Sequence, residues 1–403
     1  RYGRLNDLRD GVGIYKRLCD IFIEADDRYN SGLFYFQEEK GRTEIPDTLS
    51  LSVVIDDKVL KEIINRLYYP ESPFEFSVIP TEILGHVYEQ FLGKVIRLTK
   101  AGRAEVEFKP EVRKAGGVFY TPTYIVDYIV EKTVGELVSG KTPKEVSEIK
   151  ILDPACGSGS FLIGAYQYLL DWHRDWYIEH LVPVIRGKGA TSKEVQALIP
   201  AQYQETTGKK GAKGRSRTQN EHVELPIFAG GDGTVSRVRS TWELTSAERK
   251  RILLNNIFGV DIDTQAVEVT KLSLLLKVLE GENEETISKQ LKLFAERALP
   301  SLHKNIKCGN SLIGPDIYTT IQTNIQTNIQ NNSQTNSPTA LTDEEIRQIN
   351  PFDWKREFPE IMQKGGFDAV IGNPPYVRQE TLGQVFKDYV KKQYAVYAGT
   401  ADL

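Results

Sequence analysis

Ile151-Leu152-Asp153-Pro154-Ala155-Cys156-Gly157-Ser158-Gly159-Ser160-Phe161-Leu162 decides how this chain is read. Ile149 to Asp153 is short and apolar, as a strand buried on both faces must be. Two glycines then let the backbone turn sharply and approach a ligand closely. Gly159 to Asp171 resumes at helical spacing. A strand that turns through glycines into a helix is the opening unit of a parallel α/β sheet. Working outward, Asn256 to Asp263 reads as a second strand with its turn, and Ala266 to Leu279 as a helix of periodic leucines and valines. Asn305 to Asn310 reads as a third strand and Phe367 to Asn373 as a fourth. This alternation predicts a doubly wound sheet. Upstream, Gly116 to Pro122 reads as a loop and Thr123 to Val138 as an amphipathic helix, with Thr121 or Thr123 as its cap.

At 403 residues the chain has room for two or three domains. Residues 1–110 are read as a helical connecting domain. Leu5, Leu8, Ile14, Leu18 and Ile21 recur at helical spacing, Asn30 to Asp47 interrupts it, and Val59 to Leu67 and Ile83 to Ile96 resume it. Residues 111–403 hold the sheet, with insertions at about 175–250 and 315–350. Gln202 to Arg239 is rich in Gly, Lys and Arg and reads as a solvated loop, with phosphate contact as the sharper alternative. Ile321-Gln322-Thr323-Asn324 repeats as Ile325-Gln326-Thr327-Asn328 and cannot bury a core, so it reads as a linker.

Hydrophobic residues are 40% and charged residues 26% of the chain, ordinary for a globular protein. No apolar run approaches the roughly 20 residues of a membrane span. No signal-peptide pattern is present. Cys19, Cys156 and Cys308 lie far apart and form no cluster with the five histidines, so no metal site is expected. Sparse cysteine fits a reducing cytoplasm. The chain opens on Arg1, which points to a segment of a longer protein. The net charge of -4 argues against a dedicated DNA-binding module, unless the sequence-reading domain lies elsewhere.

The glycine loop is not a phosphate cradle. It has neither the Lys-Ser/Thr of a P-loop nor GxGxxG spacing. Asp153 at the strand tip would repel phosphate, and would attract the cationic methionine end of S-adenosylmethionine. Ala155, Cys156, Gly157 and Gly159 complete that cradle. Asp261, ending the second strand, is placed to bond ribose hydroxyls. Its bland alternative is a cap for the next helix. Ile262 can pack on the adenine face. Asn310, with Ser311 beside it, ends the third strand at the adenine edge.

Asn373-Pro374-Pro375-Tyr376 is the most specific chemical signal. An exocyclic amino nitrogen on a purine is a weak nucleophile, because its lone pair is delocalised into the ring. The Asn373 side-chain carbonyl and the Pro374 main-chain carbonyl can accept both amino hydrogens and favour pyramidalisation. Pro374 and Pro375 stiffen the loop, which preorganises the acceptors. Tyr376 offers a stacking face. In duplex DNA the base must first be flipped out. The structural alternative for this block is a proline turn after a strand.

These blocks resemble the gamma-class N6-adenine DNA methyltransferases, specifically the methylase portion of type IIG restriction–modification enzymes and related phage-defence methylases. Gly117-Val118-Phe119-Tyr120-Thr121-Pro122 is similar to the family's N-terminal cofactor motif, which implies cofactor contacts for Phe119 and Thr121. Asp153 to Phe161 resembles the main cofactor loop, Gly259 to Asp263 the ribose block, and Asn373 to Tyr376 the catalytic loop. Ala25 to Phe34 is similar to the large fused enzymes. The resemblance implies an α/β, Rossmann-like class I S-adenosylmethionine-dependent methyltransferase sheet with an N-terminal helical domain. Its substrate would be double-stranded DNA with a flipped adenine, and no metal is implied. It places the family's endonuclease before residue 1. It also places three further strands and the target-recognition domain beyond Leu403, which leaves the fourth strand near an exposed edge. Glu107-Phe108-Lys109 has the ExK shape of a nuclease site but lacks a preceding Asp on a strand. Two other classes remain open on the residues alone: a protein-glutamine or RNA-base methyltransferase, and an inactive cofactor-binding piece of the parent enzyme.

Overall fold

The computed structural model describes residues 4–29, 35–36, 46–72, 83, 94–99, 101–108, 121–200, 203, 225–230, 241–280, 299–319, 349–374 and 384–395. Near the N-terminus, α1 (Ile14–Tyr29) packs against α2 (Asp57–Leu67). Ile14 is buried with Leu8, Leu60 and Ile64 between them. Asp56 caps α2 by accepting from the Lys58 amide at 2.7 Å. Asp57 accepts from the Gly13 and Ile14 amides, both at 2.8 Å, and so fixes the start of α1 from a neighbouring helix.

The helical reading does not extend to Ile96. Lys94–Leu98 (β1) pairs antiparallel with Ala104–Phe108 (β2). Val95, Ile96 and Val106 are β-branched, and Gly102 supplies a positive φ of 74° at the turn, so a hairpin forms where apolar spacing alone suggested helix. Glu107 lies in that hairpin and faces Arg97 at 3.7 Å.

From residue 121 the alternation follows the predicted order. α3 begins as Thr123–Val130 and continues through a π turn, Glu131–Gly135, into Glu136–Val138. Then come β3 (Ile151–Asp153), α4 (Ser160–Trp176), the antiparallel pair β4 (Ile227–Gly230) and β5 (Thr241–Leu244), α5 (Ser246–Asn256), β6 (Ile257–Asp261), α6 (Thr264–Leu279), β7 (Ile306–Cys308), β8 (Ala369–Val370) and α7 (Gln384–Gln393). β7, β6, β3 and β8 lie side by side in that order. Every pairing in this sheet is parallel.

Side chains alternate across the sheet. Ile151, Ile257 and Ile306 enter a large core with Val126, Val130, Leu162, Tyr166, Val267 and Leu274 from the helices. Leu152, Phe258 and Val260 face the other way, onto Phe352, Phe358 and Ile361. That second face is an aromatic cluster. The Phe258 ring lies edge-on to Phe358 at 5.8 Å and to Phe367 at 5.7 Å. β8 is the outer strand among the described residues, and Val370 on it is 61% exposed.

Two buried asparagines set the strand entries. Asn256, just before β6, donates to the Val146 and Ile149 carbonyls at 2.6 and 2.8 Å. Asn305, just before β7, donates to the Leu254 and Ile257 carbonyls, both at 2.9 Å. Each bonds two main-chain carbonyls and so pins the start of its strand.

Candidate active site

The order of the sheet fixes where a ligand can sit. From β3 the chain steps outward through β6 and β7, then returns to the opposite flank at β8. The sense reverses between β3 and β8. In an open parallel sheet the crevice beyond the strand ends at such a point is the natural binding place. Asp153 ends β3 there, and Gly372-Asn373 follow β8 there.

The two loops touch. A Cβ placed on Gly372 would lie 2.6 Å from Asp153 Oδ1, so only a residue without a side chain lets the strands approach this closely. Asp153 is almost wholly buried. Its Oδ1 accepts from the Ala155 amide at 3.0 Å. Burial pushes its carboxyl up to about 7, with some repulsion from Asp261, although the Ala155 bond pulls the other way.

The glycine turn is tied on several sides. The Cys156 amide donates to Val260 O at 3.0 Å, and the Gly159 amide to Cys156 O at 2.8 Å. Gly159 has φ +90°, and a Cβ there would press on Thr270 at 3.0 Å. The Thr270 hydroxyl donates to Gly157 O at 2.8 Å, which holds the loop from α6. Sequence reading passed over Thr270; its signal was a hydroxyl among the valines and leucines of the buried face of α6. Gly157 has φ +53° and open space where a side chain would stand. Cys156 is turned into the core, where burial raises its thiol well above the ordinary range. A ligand over this turn therefore meets backbone at residue 156, not sulfur.

Asp261 does not cap α6. Asp263 does, accepting from the Gln265 amide at 2.9 Å. That leaves the Asp261 carboxylate at the sheet edge. It accepts from the Gly157 amide at 2.8 Å and the Asp263 amide at 2.9 Å, and so links the second strand end to the glycine turn. Ile262 beside it is 50% exposed. The next strand end continues the row. Gly309 donates to Asp261 O at 2.8 Å. Asn310 Oδ1 accepts from Leu312 N at 3.1 Å, which curls the chain at the tip of β7. The Ser311 carbonyl accepts from the Trp354 indole at 3.2 Å, so Ser311 is held from the aromatic face.

Asn373 and Pro374 are exposed at the mouth of the crevice. Asn373 Nδ2 donates to Thr121 Oγ1 at 3.2 Å, across 252 residues of chain. The expectation that Thr121 or Thr123 caps α3 is not met. The N-cap position is Pro122, with no side-chain capping bond; Thr121 stands one residue before it, and its hydroxyl accepts from Asn373. Phe119, Pro375 and Tyr376 lie outside the described residues, as do the basic stretch at 204–224 and the polar repeat. Among the described residues, no group of three or more His, Cys, Asp and Glu side chains is placed to hold a metal. No helix there is long and apolar enough to cross a membrane.

Known proteins carry similar segments. Residues 80–177 match the family described as N-6 DNA Methylase, and residues 255–403 match the Eco57I restriction-modification methylase. Both segments are thus similar to N6-type restriction–modification methylases. It is 30% identical over 383 residues to the type II restriction enzyme and methyltransferase RM.Eco57I of Escherichia coli, covering 94% of this chain and 29% of that protein. It is 25% identical over 329 residues to the putative type II restriction enzyme and methyltransferase RM.MjaORFECS2P of Methanocaldococcus jannaschii, covering 71% of this chain and 21% of the relative. The adenine-specific methyltransferase PglX of Streptomyces coelicolor is 21% identical over 281 residues, 68% of this chain and 16% of PglX. This chain thus spans less than a third of the length of each of these relatives. The glycine turn after β3 lies in the first matched segment, and the Asp261 and Asn373 blocks lie in the second.

Proposed function

We propose that this chain transfers a methyl group from S-adenosylmethionine to N6 of an adenine in double-stranded DNA. It would do so in the cytoplasm, within a restriction–modification or phage-defence system. The observation that carries the reading is the approach of two distant loops. Gly372 sits against the Asp153 carboxylate, which brings the acceptors of residues 373 and 374 to the mouth of the glycine turn. The adenine-specific name of one relative and the restriction names of two others support the substrate.

The residues suit that cofactor. Asp153 and Asp261 are acidic, and Asp153 to Ser160 and Asp261 to Asp263 contain no Lys or Arg, so the crevice favours a cation and neutral hydroxyls over a phosphate. Bound there, S-adenosylmethionine supplies an electrophilic methyl group on a sulfonium. Asp153 would face the cationic methionine end, and Asp261 would accept from the ribose hydroxyls. Ile262 would pack on the adenine ring, with Asn310 and Ser311 at its edge and Phe119 closing from the N-terminal motif. The flipped target adenine would give its two N6 hydrogens to Asn373 Oδ1 and the Pro374 carbonyl. Pro375 would hold that loop stiff, and Tyr376 would stack on the base.

The test is transfer of labelled methyl by the complete protein. Label is expected in N6-methyladenine of duplex DNA. Label found only in protein or RNA would defeat the reading in favour of a glutamine or RNA-base methyltransferase.

A pH dependence follows from Asp153. Its carboxyl is raised from 3.8 to about 7, so it is largely protonated at pH 6 and largely ionised at pH 8. A folded-state pKa above the unfolded value means the group's contribution to stability is full below about pH 4 and is lost as pH rises through 7. A cation beside the carboxylate offsets that loss. S-adenosylmethionine is therefore expected to bind about tenfold more tightly at pH 8 than at pH 6. The dissociation constant by calorimetry checks this, and Asp153→Asn should flatten the profile. An equal rise in the Asn variant would remove Asp153 from that role.

A further inference from the structure

The Asn373 side chain can act as an acceptor only if its amide faces the right way. Rotated by half a turn, the same group presents two N–H donors to the target amine and repels it. Nothing in the loop sequence settles the orientation. The structure gives this side chain a partner across the crevice. Nδ2 of Asn373 donates to Thr121 Oγ1 at 3.2 Å, which leaves Oδ1 free to accept.

Thr121 is well placed for this. It immediately precedes Pro122, whose fixed φ of -55° leads into α3. Val126, Val130, Val134 and Val138 bury one stripe of the continuing helix in the core that also holds Phe161, Leu162, Ala165 and Leu169 of α4. α4 is the helix that grows out of the glycine turn. Asn373 comes from the opposite flank, through β8 and its pairing with β3. The hydroxyl therefore ties the catalytic loop to the body that carries the glycine turn.

We infer that Thr121 is a positioning residue, whose hydroxyl holds the Asn373 side chain across the crevice in the arrangement that leaves Oδ1 open to the amine to be methylated. This rests on the N6-methylation reading and adds to it a role for Thr121 other than cofactor contact. It assigns Thr121 an effect on turnover, not on cofactor affinity.

Thr121→Val keeps the shape and removes the hydroxyl; Thr121→Ser keeps the hydroxyl. In the complete protein, Thr121→Val is expected to lower kcat about tenfold, the size of one hydrogen bond in a preorganised site. The calorimetric dissociation constant of S-adenosylmethionine should stay within about twofold, and Thr121→Ser should recover most of the rate. On an Asn373→Ala background, Thr121→Val should have no further effect, because the group it orients is gone. A weakened cofactor constant with unchanged kcat would overturn the inference and return Thr121 to cofactor binding. A full tenfold loss on the Asn373→Ala background would overturn it equally. Failure of the wild-type protein to methylate DNA adenine would instead sink the underlying reading, so the two failures are separable.

Discussion

Asn373→Ala is expected to lower methyl transfer to DNA about a hundred- to a thousandfold while leaving S-adenosylmethionine binding within about twofold of wild type. The split follows from where the side chain stands. Asn373 is exposed beyond the end of β8, with its side-chain amide directed to Thr121 across the crevice. It makes no bond to the glycine turn or to Asp261, which accepts from Gly157 and Asp263. Removing the amide should therefore leave the cradle intact and take away one preorganised acceptor for the N6 hydrogens. Single-turnover transfer of labelled methyl, read beside a calorimetric dissociation constant, separates the two quantities. Wild-type turnover in the variant would end the assignment of Asn373 to the chemistry.

The largest expected loss of stability comes from the other side of the core. Glu248 is fully buried and pairs with Arg251 through bonds of 2.6 and 2.8 Å. It also accepts from the hydroxyls of Tyr177 at 2.8 Å and Tyr203 at 3.0 Å. Burial would push the Glu248 carboxyl up, but the Arg251 bonds and charge outweigh it and hold the carboxyl below its ordinary value. His173 nearby is kept neutral, pushed down to about 4 by burial, so it adds no compensating charge. Glu248→Ala strands a guanidinium in the core and leaves two phenols without their acceptor. The cost should be about 3–5 kcal/mol, seen as a lower denaturant midpoint. Replacing both partners, Glu248→Leu with Arg251→Met, should recover much of it, because the penalty is the unpaired charge and not the lost attraction. A single variant that unfolds at the wild-type midpoint would refute this account. The network also joins Tyr177 at the end of α4 to Tyr203 beyond the helix Lys193–Leu198, so it ties that stretch of chain to α4 and α5.

Much of the sheet was legible because its signals are local. Ile151 to Asp153, Ile257 to Asp261 and Ile306 to Cys308 are short apolar runs, and each falls within its predicted strand. The glycines at 157 and 159 announced a turn that their positive φ values require. Reading failed where local signals compete. Val95 and Ile96 fit a helical stripe and a strand equally well, and pairing with Val106 and Glu107 decided for the strand. The candidate side chains were nameable for the same local reason, but their states were not. Cys156 looked available in the motif and is turned into the core. Thr121 looked like a helix cap and is bonded to Asn373.

By itself the amino-acid order determined which segments become strands, which turns need glycine, and which residues carry acceptors and carboxylates, because each depends on a few neighbouring residues. Only the tertiary structure decided that residue 372 would rest on Asp153, that Thr270 would hold the glycine turn, and that Thr121 would meet Asn373. Those contacts close loops of more than a hundred residues, and no local preference selects the partner at such separations. They follow from packing the alternating faces of one parallel sheet between its helices and its aromatic layer, which leaves few arrangements of the strand ends.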